Sequence, residues 1–466
     1  MRTNRFKKLN LGPITVMIIM SVVIAFFSLI LNKLSFKGTL TDPNTLETTI
    51  ETVNNVFSKE GFQYIIGNSL KNFRNVEPLA AIIISLITIT IAEVSGLLKH
   101  IFGIFKNVKS YIITFLVLFV SVISSFIGDY SYAILLPLTG AFYKSINRDP
   151  KVGIMTSFIG ITMGYGTGLV YNYQDINLGD ITQVSARHII DTFRFNPLSL
   201  IYIMIASTFI LCIVGTIMIE NNFSKRVRNN EEDNLVTSSK ALRTTIVAFM
   251  VMLFVMVWSI IPGLPLSGWM LDNTAPRYIL KLLGPKAPFK DGFMVMLLCM
   301  ALICSYIYGK LSRNIKDSRE FNKAISKTFQ NTGFIFAGLF FGSLMINILK
   351  WTNMPNVISL NLIELIHRTE MSGVFVVGSA LLVCIIMAIL NPSTTSNWTI
   401  SAPILITSLA RANISPEFVQ MIFKVGDSVG KCFSPFYIFF IVLLGFLYKM
   451  DEQDEVRDDV IKRLKN

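Results

Sequence analysis

Ten apolar runs, each about as long as a bilayer crossing requires, constrain this chain more than any other feature. They lie near Leu11 to Leu31, Leu79 to Leu98, Tyr111 to Ile127, Val152 to Val170 and Pro197 to Ile219, then Leu242 to Ile261, Gly292 to Tyr308, Phe334 to Ile348, Gly373 to Leu390 and Phe433 to Tyr448. Only 15% of the 466 residues are charged, against about 25% in soluble proteins. Two further runs, Tyr132 to Phe142 and Thr399 to Leu409, are too short to span alone, and each directly follows a polar break. Broken backbone at membrane depth is tolerated only where it faces protein or a wet cavity. Tyr111 to Phe142 and Gly373 to Leu409 are therefore expected to be interrupted helices or re-entrant hairpins.

The two breaks resemble each other. One reads Ser125-Phe-Ile-Gly-Asp129-Tyr130-Ser131 and the other Ser393-Thr-Thr-Ser-Asn397-Trp398-Thr399, so each has a serine, then Asp or Asn, an aromatic and a hydroxyl at the same spacing. The prolines that follow keep nearly the same phase, Pro137 and Pro150 matching Pro403 and Pro416. Polar interruptions at corresponding places in two halves mark the substrate and ion site of secondary transporters with internal repeats. The expected fold is an all-α polytopic membrane protein with inverted repeats, two re-entrant helical hairpins and a scaffold region. The expected division is a first helix and extracytoplasmic segment at 1–76, a first repeat at 77–219, a cytoplasmic linker at 220–241, a second repeat at 242–448 and a charged tail at 449–466.

Basic residues set the expected orientation. Arg2, Arg5, Lys7 and Lys8 precede the first run, and further clusters lie around Lys225 to Arg243, Lys310 to Lys327 and Lys449 to Lys465. The positive-inside rule puts them all in the cytoplasm, with both termini inside a bacterial-type plasma membrane. The net charge of +13 is then a matter of topology and lipid contact, and no nucleic-acid partner is needed to account for it. Met1 to Leu34 is too long for a signal peptide and is expected to stay as the first span. Cys212, Cys299, Cys304, Cys384 and Cys432 lack CxxC spacing and read as core thiols, with neither disulfides nor a metal site. Ser35 to Val76 reads as an outer cap, with helical periodicity around Leu46 to Phe57 and Phe62 to Leu70.

Ionisable residues inside apolar runs are costly and mark function by default. Here they are Glu93, Asp129, Asp175, Lys424 and Asp427. Lys424 and Asp427, at i and i+3, share a helix face and can neutralise each other, either as a structural pair or as part of a substrate grip. Hydroxyls, a carboxylate or amide and unwound carbonyls are the hard donors that a sodium-like ion requires. That makes Ser125, Asp129, Ser131, Ser393, Asn397 and Thr399 the expected ion set, with no metal beyond a transported sodium ion, no cofactor, and sodium or a proton as the coupling ion. Trp398 could stack on a flat ring, whereas Tyr130 reads better as packing at a hairpin tip. His100, His188 and His367 fall in expected loops without catalytic spacing, which leaves an enzyme little support. A channel would show repeated pore helices and a filter.

These residues resemble the p-aminobenzoyl-glutamate transporter (AbgT) family from about Pro78 to the last run. The motifs that carry the likeness are Ala92-Glu-Val-Ser-Gly96, Gly128-Asp-Tyr-Ser-Tyr132, Gly179-Asp-Ile-Thr182, Ser396-Asn-Trp398, Ser415-Pro-Glu-Phe418, Val425-Gly-Asp-Ser428 and Ser434-Pro435. The resemblance implies a homodimer whose protomer has an inner transport region and an outer scaffold. The implied cargo is a p-aminobenzoyl-glutamate-like compound or a sulfonamide antimetabolite. The family's substrate-path positions fall on Asp175, Thr395, Trp398, Pro416, Lys424 and Asp427, and Asn397 joins them from the break itself. Lys424 stands where the family usually has Arg, Gly168 where Asn is common and Thr395 where Ser or Asn is usual. Lysine lacks the planar fork that grips a carboxylate, so a small carboxylate or amino acid remains an alternative cargo.

Overall fold

The computed structural model describes residues 12–450 apart from 43–44, 46, 77–78, 170–172, 224–234, 285, 331, 369–373 and 449. The basic residues at 2–8, those at 225–228 and the tail from 451 lie outside the described residues, as does Glu77-Pro78. The chain opens with the apolar α1 (Pro13–Lys33), the amphipathic α2 (Lys59–Arg74), the apolar α3 (Leu79–Val94) and the short α4 (Leu97–Phe102). The first hairpin follows as α5 (Ser110–Ser124) and α6 (Tyr130–Ser145), and after it come α7 (Pro150–Thr167), α8 (Tyr173–Arg187) and α9 (Ile201–Asn222). The second half runs through α10 (Ser239–Trp258), α11 (Tyr278–Leu283), α12 (Pro288–Leu311), α13 (Ser318–Gln330), α14 (Gly333–Thr352) and α15 (Met354–Arg368). Its hairpin is α16 (Val374–Leu390) and α17 (Thr394–Ala410), followed by α18 (Pro416–Phe433) and α19 (438–448). Eight helical stretches among the described residues are long and apolar enough to cross a membrane.

Three expectations need correction. Around Leu46 to Phe57 the chain forms a strand, Thr48–Thr52, paired antiparallel with Lys37–Thr41. Four β-branched residues, Thr48, Thr49, Ile50 and Thr52, favour that outcome over a helix. His100 lies in α4, where Nδ1 is 2.8 Å from Tyr308 Oη, and His367 lies within α15, so neither is in a loop. The second break falls at Asn391-Pro392-Ser393, and Asn397 is already inside α17. Pro392, with no N–H to donate, accounts for the earlier end of α16.

Each hairpin arm has 15 to 17 residues, or roughly 22–26 Å at ~1.5 Å per residue, less than the ~30 Å hydrocarbon core. The arms of the first hairpin are antiparallel: Thr114 near the start of α5 meets Tyr143 near the end of α6 at 3.1 Å, while Ser131 Oγ donates to Ser124 O at the tip. A helix beginning with proline then packs back on each hairpin through glycine. A Cβ on Gly160 would come 2.6 Å from Ser121 Cβ of α5, and one on Gly426 would come 2.6 Å from Cys384 Cβ of α16. Gly164 against Val122 O and Gly430 against Ile385 O repeat the arrangement four residues on. Both glycine pairs are separated by 266 positions, as are the prolines, so the sequence repeat is also a packing repeat. Small residues let such helices approach backbone to backbone where lipid supplies no hydrophobic drive.

Two large cores each draw on both halves of the chain. Leu136, Ile154, Phe158, Leu339 and Val442 belong to the first, and Leu178, Ile363, Trp398, Leu405 and Phe423 to the second. At Gly166 of α7 a Cβ would lie 2.7 Å from the Lys424 carbonyl of α18. That contact locks the C-terminal end of α7 against the middle of α18.

Candidate functional site

Both breaks empty into one cavity of about 610 Å³. At the first, α5 gives way to a 3-10 turn at Ser125–Ile127, and Gly128 adopts φ +65 and ψ −145, a conformation open to glycine but not to ordinary side chains. The chain can therefore reverse, leaving Asp129 exposed at the start of α6, with Tyr165 Oη donating to its Oδ1 at 3.2 Å. At the second, Asn397 Nδ2 reaches back to Asn391 O at 2.6 Å, and Ser393 N donates to Asn391 Oδ1 at 3.2 Å. Asn397 thus holds the tip closed. The N-termini of α6 and α17 both lie at the cavity wall, lined by Gly128, Asp129, Ser393, Thr394 and Thr395, where unpaired N–H groups and the helix dipole favour an anion.

The charged pairs are not those expected from spacing. Lys424 does not pair with Asp427: its ammonium is bound to Asp175 of α8, with side chains 11% and 2% exposed. Asp427 pairs with Lys431 at 2.8 Å, one helical turn on, and accepts 2.7 Å from Thr394 Oγ1. The two lysines face different spaces. Lys431 lines the main cavity, whereas Lys424 and Asp175 line a cleft of only about 30 Å³ with Gly166 and Gln420. Seven residues separate them, ~10 Å along α18, and the α7 crossing at Gly166 lies between.

Of the expected ion set, Ser125, Asp129 and Ser393 line the cavity. Ser131 and Asn397 are not part of its lining: the Ser131 hydroxyl donates to Ser124 O and the Asn397 amide nitrogen to Asn391 O, which holds the tips. Thr399 Oγ1 is exposed and donates back to Thr395 O at 2.9 Å. Of the expected substrate set, Thr395 lines the cavity. Pro416 opens α18 fifteen residues before Lys431, ~22 Å away along the axis. Trp398 is 0% exposed. Its Nε1 donates to Leu178 O at 3.1 Å and to Thr182 Oγ1 at 3.0 Å, and its ring tilts against Phe423 at 4.6 Å. The indole therefore joins α17 to α8 and presents no face to the cavity.

The sequence reading missed Lys431, Tyr165, Lys350 and Tyr437, all at the cavity wall. A signal for the first two was present: Lys431 lies at i+4 from Asp427, and Tyr165 stands 266 positions before it, in the phase of the repeat. With native Cys299 and Cys432 replaced by alanine, single cysteines at Asp129 and Thr395 are expected to label with a membrane-impermeant thiol reagent. Cysteines at Ser131 and Asn397 should resist it. Equal labelling at 129 and 397 would contradict the assignment of Asn397 to a sealed tip.

A polytopic membrane protein whose two interrupted hairpins enclose one polar cavity belongs to the class of small-molecule transporters with repeated halves. The chain is a member of the AbgT putative transporter family, whose model matches residues 8–457. It is 24% identical over 419 residues to the p-aminobenzoyl-glutamate transport protein of Escherichia coli (strain K12), covering 88% of this chain and 80% of that one. Similar solved structures include the YdaH transporter of Alcanivorax borkumensis, at 22% identity and TM-score 0.49 over 94% of this chain and 91% of that one. Another is MtrF of Neisseria gonorrhoeae, of a class of antimetabolite efflux pumps, at 22% identity and TM-score 0.47 over 94% and 89%.

Proposed function

We propose that the protein is an ion-coupled secondary transporter of p-aminobenzoyl-glutamate or a related aromatic amide or sulfonamide. The observation that carries this reading is the convergence of both helix breaks on a single cavity of about 610 Å³, within the roughly 300–1,000 Å³ usual for small-molecule sites. The name of the Escherichia coli relative supplies the cargo class. Two features of the cavity suit such a cargo. Lys350 and the N-terminus of α17 offer positive charge to carboxylates, and Tyr165, Phe436 and Tyr437 offer ring surface. The ring contact passes from Trp398 to these residues. Asp129 with Ser125 and Ser393 retains the oxygen donors for a coupling cation. We place the protein in a bacterial-type plasma membrane with both termini cytoplasmic, as a homodimer, with apolar residues such as Ile210, Ile213, Val247 and Phe254 on the outward faces of α9 and α10.

Counterflow of labelled p-aminobenzoyl-glutamate in proteoliposomes, under separate sodium and proton gradients, tests the proposal. Saturable exchange that responds to one gradient is the expected result. Exchange of succinate or arginine in its place would move the cargo to small carboxylates or amino acids with the same architecture. No saturable exchange of any of the three would remove the transporter reading of these substrate classes.

A further inference from the structure

A line of side-chain amides runs from the second hairpin tip to the two-stranded cap formed by Lys37–Thr41 and Thr48–Thr52. At the tip, Asn391 receives Asn397 Nδ2 on its backbone oxygen at 2.6 Å and Ser393 N on its Oδ1 at 3.2 Å. Its own Nδ2 donates to Asn356 Oδ1 of α15 at 3.2 Å. Asn356 Nδ2 donates to Asn353 Oδ1 at 2.9 Å. Asn353 Nδ2 then donates to Glu51 Oε2 at 2.7 Å and to Thr52 O at 3.2 Å, both on the second strand of the cap. Each amide donates toward the cap and accepts on the side of the tip, and a carboxylate ends the line. A carboxylate only accepts, so it fixes which way Asn353 faces, and through it Asn356 and Asn391. Bonds to a charged acceptor are the strong ones, and bonds in a chain polarise one another.

The corner between α14 and α15 holds the cap against this line. Asn353 adopts φ +58, a left-handed conformation that asparagine tolerates better than most residues, and α15 turns off the end of α14 there. Asn54 N donates to Thr352 O at 2.8 Å and Asn54 Nδ2 to Trp351 O at 3.0 Å, so the cap also satisfies the last carbonyls of α14. The other strand lies on α15. Lys37 O accepts from Asn361 Nδ2 at 3.0 Å, and a Cβ on Gly38 would come 2.8 Å from Leu360 Cβ. Asn356 carries the hydrogen bond from that platform to the tip.

We propose that Glu51 is a positioning residue for the second hairpin tip, acting through Asn353, Asn356 and Asn391 on the start of α17. Thr394 and Thr395 line the cavity and follow directly on that tip, so the cap sets where these groups meet the cargo. That consequence rests on the reading of the protein as a transporter, whereas the effect on the tip does not. The first tip is closed within its own hairpin, by Ser131 Oγ on Ser124 O, and serves as the internal control.

The test is hydrogen–deuterium exchange on the purified full chain, comparing wild type with Glu51→Ala, Glu51→Gln, Asn356→Leu and Glu51→Ala/Asn356→Leu. Glu51→Ala is expected to speed exchange of the amides at 391–397 by about tenfold, the factor carried by loss of one hydrogen bond to a charged group, with exchange at 125–131 unchanged. Glu51→Gln retains an acceptor oxygen and should stay close to wild type. Asn356→Leu keeps the size and breaks the line in its middle. It should loosen the tip by itself, and adding Glu51→Ala should then change nothing further at 391–397, the non-additivity of residues that act in one network. In transport, Glu51→Ala should raise KM for p-aminobenzoyl-glutamate more than it lowers kcat. Two results would overturn the inference: unchanged exchange at 391–397 in a monodisperse Glu51→Ala, or an effect of Glu51→Ala that survives undiminished in the Asn356→Leu background. If Asn356→Leu does not fold, the contrast between alanine and glutamine at position 51 decides alone, and equal loosening by both would sink the relay. If wild type carries no p-aminobenzoyl-glutamate, the substrate reading fails and the exchange measurement still decides the role of Glu51.

Discussion

Lys424→Ala is expected to destabilise the protein and to abolish transport more severely than the double variant Lys424→Ala/Asp175→Ala. The Asp175 carboxylate is 2% exposed, and Lys424 is bound directly to it. Removing one partner of a buried pair leaves an uncompensated charge, at a cost of about 3–5 kcal/mol, whereas removing both can be close to neutral. The cleft they line is about 30 Å³, with room for about one water molecule. Lys424→Arg keeps the charge and is expected to keep the fold. Thermal unfolding in detergent, with counterflow on the same preparations, separates these outcomes. If single and double variants lost equal stability, the pair would be a screened surface contact, and α8 would owe its position on α18 to packing alone.

The interruptions were legible in the sequence because bilayer length is a hard limit. Runs such as Tyr132 to Phe142 cannot cross alone, so a polar break before each implies an interrupted helix or a re-entrant hairpin, and the structure shows hairpins. The repeat was legible for a related reason, since Pro137, Pro150, Pro403 and Pro416 fix backbone geometry wherever they occur. Partner choice was not legible. Spacing placed Lys424 beside Asp427 on one face of α18, yet i and i+3 neighbours can each turn to a different helix, and here Asp175 from α8 competes successfully for Lys424. Which oxygens face the cavity was equally hidden. Asn397 and Ser131 carry the right chemistry for an ion but lie outside the cavity lining, tied there by N–H and O–H donation to Asn391 O and Ser124 O, bonds that exist only once the tip has folded. The strand at Thr48–Thr52 was hidden behind a weak helical periodicity, which its β-branched run overrides once Lys37–Thr41 is there to pair with it.

Trp398 supplies the second large effect, and it reverses the expectation that its ring meets the cargo. Trp398→Ala is expected to cost about 3–5 kcal/mol, the usual range for emptying a tryptophan-sized space in a packed core. It should depress transport of aromatic and non-aromatic cargo alike. The indole is wholly buried, packs on Phe423 of α18 and donates to Leu178 O and Thr182 Oγ1 of α8. Thr182 in turn donates 2.6 Å to Gln420 Oε1 of α18, so the side chain ties α17, α8 and α18 together one turn from Thr395. Trp398→Phe should cost less, about 1–3 kcal/mol for the lost donor. Discrimination between cargoes belongs instead to a ring on the cavity wall. Tyr437→Leu is expected to raise KM for p-aminobenzoyl-glutamate more than for glutamate alone, with the fold retained. Paired KM and melting measurements on the three variants decide the matter: a Trp398→Ala protein that melts like wild type yet loses only aromatic cargo would return the indole to the substrate path.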